Sequence, residues 1–126
     1  MVQSQSLLNG KKLAQGVKYI FPKTSRLLRS REFRLCAKYG NQRSGHFLHI
    51  DVRQTAYPGT KLGLTVSRRF GKAVMRNRFK RLVREAFRLS QHELPACLHI
   101  NVHPRAASRE ATLSDIRQEL LSLVSQ

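Results

Sequence analysis

The residues with the greatest chemical capacity lie between positions 61 and 88, and they are cations. Lys61, Arg68, Arg69, Lys72, Arg76, Arg78, Lys80, Arg81, Arg84 and Arg88 are accompanied there by a single acid, Glu85. Guanidinium groups bind phosphates through paired N–H donors and stack on exposed bases, so this density of arginine fits a nucleic acid. A solvated helix face would ordinarily mix signs. Arg68, Arg69 and Lys72 stand just ahead of a predicted helix, with Gly71 in the connecting loop. Backbone amides at the helix start and three cations converge there on a candidate phosphate site.

Catalysis by the protein's own side chains has little support. His46 and His49 should project to opposite faces of a strand, and His92, His99 and His103 are scattered, with no carboxylate pair or nucleophile at motif spacing. Seven acids in all suggest no two-metal carboxylate cluster. Cys36 and Cys97 have no Cys or His beside them at ligand spacing, which points to two free thiols rather than a zinc site or a disulfide. We therefore expect no catalytic and no metal-ligating residue.

The whole chain agrees with a polyanion-binding role. Its 126 residues make about one domain, and 24 Lys plus Arg against 7 Asp plus Glu give a net charge of +17. Residues 1–90 hold 21 basic and 3 acidic side chains, while residues 91–126 hold 3 and 4. The binding surface should thus come from the first three quarters of the chain. At 40% hydrophobic residues a folded core is expected, and no run is long and apolar enough for a membrane span. The N-terminus offers no apolar signal-peptide core, so the expected location is the cytoplasm.

The elements that must position these groups can be read from periodicity. Residues 1–20 suggest a flexible basic arm, in which Leu13, Val17 and Ile20 could form one helical turn or dock singly on the body. Ser30 can cap a helix to about Tyr39, with Gly40 as a left-handed stop. Leu48, Ile50 and Val52 alternate with Phe47, His49, Asp51 and Arg53, which predicts a half-buried strand. Leu62, Leu64 and Val66 predict another, and the Tyr57-Pro58-Gly59 turn between them suggests an antiparallel hairpin. Met75, Phe79, Leu82, Val83, Ala86 and Phe87 make the apolar stripe of a helix from Ala73 to about Ser90, whose far face carries Lys80, Arg84, Asn77, Arg88 and Arg81, with Arg76 and Arg78 flanking the stripe. Leu98, Ile100 and Val102 predict a strand. Thr112 and Asp115 have capping-box spacing ahead of a last helix. The outline is an α-β-β-α-β-α sandwich of the α+β class.

The run from Leu62 through Gly63-Leu64-Thr65-Val66-Ser67-Arg68-Arg69-Phe70-Gly71-Lys72 to Arg76-Asn77-Arg78, with Lys80, Arg81 and Arg84 following, closely resembles the signature of the bacterial ribonuclease P protein component. Weaker similarity runs from Phe21-Pro22-Lys23 to the last helix, over about residues 21–123, so residues 21–126 are expected to form one RNA-binding domain. The resemblance implies a subunit that joins a catalytic RNA to remove 5′ leaders from precursor tRNA. In such a family the RNA and its Mg²⁺ ions carry out the hydrolysis. No stable protein partner and no membrane are implied.

It further implies a small, mainly antiparallel sheet of the ribosomal-protein-S5-domain-2-like kind. The strands before and after the basic helix should be parallel and joined by a left-handed crossover, where general chirality rules favour a right-handed one. RNA-binding residues would be Arg68, Arg69, Lys72, Arg76, Asn77, Arg78, Lys80, Arg81, Arg84 and Arg88. A leader cleft would use Phe33, Phe47, His49, Arg53 and Lys61, unless Phe33 and Phe47 only form a second small core. Two departures from the family pattern stand out: Ala37 where a second aromatic is common, and Pro95-Ala96-Cys97 in place of the usual Gly and Asp. A ribosomal or other structural RNA-binding protein is the alternative reading. A DNA-binding module lacks helix-turn-helix spacing here, and a membrane binder would have to expose Phe79 and Phe87.

Overall fold

The computed structural model describes residues 26, 27 and 30–126. The arm expected over residues 1–20 lies outside the described residues. Helix α1 spans Ser30–Tyr39, strand β1 Asn41–Ser44, β2 Leu48–Gln54 and β3 Lys61–Leu64. A 3-10 turn at Arg68–Phe70 leads into α2, Ala73–Ser90. Strand β4 follows at Leu98–Pro104, then a second 3-10 turn at Ala106–Glu110 and α3 at Leu113–Val124.

The four strands form one mixed sheet in the order β1-β2-β4-β3. β2 pairs antiparallel with β1 and with β4, whereas β3 pairs parallel with β4. The parallel pair flanking the basic helix is the arrangement that the family resemblance implied. The antiparallel hairpin expected from β2 and β3 does not form, because β4 lies between them. Alternation correctly told which residues face the core, but it carries no information about which strand is the neighbour.

Alternate residues of the sheet face two different layers. Leu48, Ile50, Val52, Leu62, Ile100 and Val102 bury against Phe79, Val83 and Phe87 of α2 and Ile116, Leu120 and Leu123 of α3. The α2 stripe read from the sequence is this contact, and removing apolar surface of this kind from water is the main stabilising term. The opposite sheet face is covered in part by α1. Cys36 is fully buried there, its thiol directed at the His99 carbonyl at 3.6 Å, and burial pushes the thiol pKa up to about 11. It is a structural residue.

Three local readings change. Gly40 does not adopt a positive φ; a β-carbon at this position would come within 2.5 Å of the Cys36 carbonyl oxygen and 3.0 Å of that of Val52, so close approach is what demands glycine. Strand β1, Asn-Gln-Arg-Ser, has no apolar alternation to announce it and was not anticipated. The strand expected to include Leu62, Leu64 and Val66 ends at Leu64, although Thr65 N–H still donates to the Val102 carbonyl at 3.0 Å. The α3 capping box is present in both directions: Thr112 Oγ1 accepts from Asp115 N–H at 3.2 Å, and the Asp115 carboxylate accepts from Thr112 N–H at 3.0 Å.

Candidate nucleic-acid interface

Helix α2 has one face fixed by the core, and this fixes where its cations point. Asn77, Arg81, Arg84 and Arg88 surround a concavity of about 350 Å³, joined by Glu85 and by Arg26 from a neighbouring segment. Arg26 arrives there because it bridges to Leu62 at the outer side of β3. Partial burial and then the nearby charge of Arg26 lower the pKa of Arg84, so this cluster gathers like charge that an anion would relieve. Glu85 is bound to Arg88, with Arg88 Nε donating to Glu85 Oε1 at 3.0 Å. That bond holds the Glu85 carboxyl below its ordinary value and raises Arg88.

The remaining cations divide. Arg68, Arg69 and Lys72 are exposed around the start of α2, and Lys72 occupies the N-cap without a side-chain cap bond. No acid lies in the first turn of α2, so its dipole has no internal counter-charge at that end. Arg78 is already engaged: its guanidinium donates to the carbonyls of Ala111 at 2.8 Å and Arg109 at 3.3 Å. Arg76 is half-buried, with its Nε enclosed and lacking a partner, and Lys80 is half-exposed. The structure therefore does not gather the ten predicted residues in one place. It forms one concavity with Asn77, Arg81, Arg84 and Arg88, and leaves Arg68, Arg69 and Lys72 at the helix start.

The acids show the complementary distribution. Glu119 accepts from the backbone N–H groups of His46, Phe47 and Leu48 at 2.8, 2.8 and 2.6 Å. Asp115 caps α3, Glu93 pairs with Arg117, and Glu32 holds Lys61 at 3.3 Å. Negative charge is largely committed to internal bonds, which leaves the outer field positive.

The second set of predicted residues falls on the α1 side of the sheet, with one exception. Phe33 lies over Gly63, where a β-carbon would meet Phe33 Cε1 and Leu27 Cδ1 at 2.7 Å each. His49 and Arg53 project from the same face as Lys61, which also sits 4.5 Å from the Tyr57 ring centroid. Phe47 stands apart from Phe33. It precedes β2, packs at the margin of the main core and gives its N–H to Glu119.

Sequence reading missed the polar group on this face. His103 is not without a carboxylate partner: its Nε2 lies 3.0 Å from Asp51 Oδ2. Asn101 follows at 3.3 Å from His103 and donates to Thr65 Oγ1 at 3.0 Å. The pairing of Asp51 with Asn101 and of His49 with His103 creates this cluster, and that register is invisible in one chain read alone. The available clue was that His49 and Asp51, two apart on a strand, must share a face. Burial lowers the pKa of His99 on this face, and neither of its ring nitrogens finds a partner. Among the described residues, no group of three or more His, Cys, Asp or Glu could hold a metal ion.

Comparison with known proteins decides the family. The Ribonuclease P family model matches residues 21–126. The chain belongs to the ribonuclease P protein family. A ribonuclease P protein component from Chlamydia abortus is 45% identical over 103 residues, covering 79% of this chain and 73% of that protein. One from Desulforapulum autotrophicum is 34% identical over 102 residues, covering 81% and 87%. Among solved structures, the ribonuclease P protein of Thermotoga maritima in complex with 1-(4-fluorophenyl)-2-thiourea aligns with a TM-score of 0.74 at 33% identity, covering 80% of this chain and 98% of that one. A Staphylococcus aureus ribonuclease P protein mutant reaches a TM-score of 0.74 at 25% identity, covering 82% and 87%. Within this ribonuclease P protein, no helix among the described residues is long and apolar enough to cross a membrane.

Proposed function

We propose that the chain is the protein subunit of ribonuclease P, assembling with the catalytic RNA and assisting it in removing 5′ leaders from precursor tRNA. The observation that carries this reading is the arginine-lined concavity on α2, built by Asn77, Arg81, Arg84 and Arg88 in a chain of this family. Phosphates of the catalytic RNA would occupy it, with Arg68, Arg69 and Lys72 extending the contact along the backbone. Single-stranded leader would cross the α1 side of the sheet, past Phe33, His49, Arg53 and Lys61, where rings stack on bases and cations neutralise phosphates. Phe47, packed on the main core, would contribute at most from the margin of that surface.

Phosphodiester hydrolysis in this reading belongs to the RNA and its Mg²⁺ ions. The part proposed for the protein is binding and positioning. The work proposed is in the cytoplasm, where the tRNA precursors are. Reconstitution tests the whole reading. The protein, added to its cognate catalytic RNA at low Mg²⁺, is expected to restore leader removal; no effect on cleavage together with tight binding to ribosomal RNA would favour a structural RNA-binding role instead.

A further inference from the structure

Glu85 is the single acid among the cations of residues 61–88, and it lines the α2 concavity instead of standing clear of it. Arg26, Arg81, Arg84 and Arg88 line the same space of about 350 Å³, and a guanidinium group only donates hydrogen bonds. Among the described residues around that space, Glu85 and the Asn77 amide are the side chains able to accept one. A carboxylate here repels every phosphate that its neighbours attract, so a site made for phosphate alone is weakened by it.

The carboxylate is also held in place. Arg88 donates to it twice, from Nε to Oε1 at 3.0 Å and from Nη2 to Oε2 at 2.5 Å, while the Glu85 side chain stays 41% exposed. The bonds from Arg88 keep the carboxyl below its ordinary value, so at neutral pH it is ionised and purely an acceptor. An ionised carboxylate has about four acceptor positions, and Arg88 takes two of them. The others suit a donor brought by the ligand.

RNA carries such a donor beside every phosphate. Its phosphodiester oxygens only accept, and base amines in a duplex are engaged in pairing, whereas the ribose 2′-hydroxyl donates from the backbone itself. DNA has no such group.

We propose that Glu85 is a specificity-determining residue of this interface: it accepts a hydrogen bond from the 2′-hydroxyl of a catalytic-RNA nucleotide whose flanking phosphates lie against Arg81 and Arg84, with Arg88 as its positioning residue. The inference rests on the reading that the catalytic RNA occupies the concavity, and adds to it how a chain of net charge +17 tells RNA from other polyanions. The cations supply an attraction that any nucleic acid shares. A strand lacking the hydroxyl meets the repulsion of Glu85 without the hydrogen bond that offsets it.

Interference mapping tests the contact. The full chain binds cognate catalytic RNA carrying 2′-deoxynucleotides at scattered positions, in roughly 0.15 M salt to screen exposed charges, and the deoxy positions depleted from the bound fraction are read out. Wild type, Glu85→Ala, Glu85→Gln and Arg88→Lys are compared after each is confirmed folded. Wild type is expected to deplete at least one deoxy position that Glu85→Ala tolerates. Glu85→Gln keeps an acceptor oxygen and should retain that position with weaker depletion, and Arg88→Lys, which keeps the charge but loses the paired bonds, should weaken it as well. Unsubstituted catalytic RNA should bind Glu85→Ala on the order of tenfold more weakly, the scale of one charge-assisted hydrogen bond. Charge alone predicts the opposite sign, because removing an acid adds to the positive field. Unchanged or tighter binding by folded Glu85→Ala, or a depletion pattern identical to that of wild type, overturns the 2′-hydroxyl contact while leaving the catalytic-RNA reading intact. Failure of wild type to prefer the catalytic RNA over ribosomal RNA removes both.

Discussion

The carboxylate of Glu119 occupies the space in which a side chain at Gly45 would stand, since a β-carbon there would lie 2.4 Å from Glu119 Cδ. One acid on α3 thus closes the turn between β1 and β2 by taking three backbone N–H groups, and glycine is what admits it. Glu119→Ala should lower stability by about 2–3 kcal/mol, because these donors lose a charged acceptor. Gly45→Ala should also destabilise, and adding it to Glu119→Ala should cost less than it does alone. A urea-denaturation double-mutant cycle checks this coupling.

Arg78 and Arg81 should separate structure from binding. Arg78→Ala is expected to cost about 1–2 kcal/mol in urea denaturation, through the carbonyls of Ala111 and Arg109 that it now serves. Arg78 flanks the apolar stripe, so its contribution to the fold comes through these two bonds rather than through burial in the core. Arg81→Ala should change stability by less than about 0.5 kcal/mol. It should reduce the salt dependence of catalytic-RNA affinity by about 0.7–0.9 in log–log slope.

Cys97 has φ 64°, the left-handed region that disfavours a side chain. Its carbonyl receives Thr55 N–H at 2.8 Å, which holds the loop after β2 in place. Cys97→Gly should stabilise the protein by about 1 kcal/mol, measured as a raised denaturation midpoint.

Buried His99 should make the fold sensitive to mild acid. Its folded pKa is lowered chiefly by burial, so the unfolded chain takes up a proton below its own value of about 6.5 while the folded protein resists. Stability is expected to decline as pH falls from about 6.5 towards the lower folded value. His99→Phe removes both unpartnered ring nitrogens and should flatten the contribution; denaturation midpoints at pH 7.5 and 5 for both proteins provide the measurement.

Much of this architecture was legible because burial leaves a periodic trace. Phe79, Val83 and Phe87 revealed α2 over its full observed span, and Thr112 with Asp115 revealed the start of α3. The missing information concerned partners. Nothing in the alternation of Leu62 and Leu64 said that β4 would be their neighbour, and β1 was silent because both of its faces are polar. The binding site divides in the same way. Charge density identified α2 as the basic helix, but only the fold shows Arg26 joining Arg84, Arg78 turned towards α3, and Asp51 set between His49 and His103.

The outer strands of the sheet bear on whether the molecule stays single. Unpaired edge N–H and C=O groups recruit further chains, and an apolar edge does so most readily. β1 is a poor template: it is wholly polar, and its Arg43 is tied to the Leu123 and Val124 carbonyls at 2.7 and 3.0 Å. β3, Lys-Leu-Gly-Leu, is the vulnerable one. The short stretch at Arg26 and Leu27 shields it, with Leu27 N–H donating to the Leu62 carbonyl at 2.9 Å. A chain trimmed past Leu27 would lay that edge open, and should self-associate through strand addition despite its large positive charge.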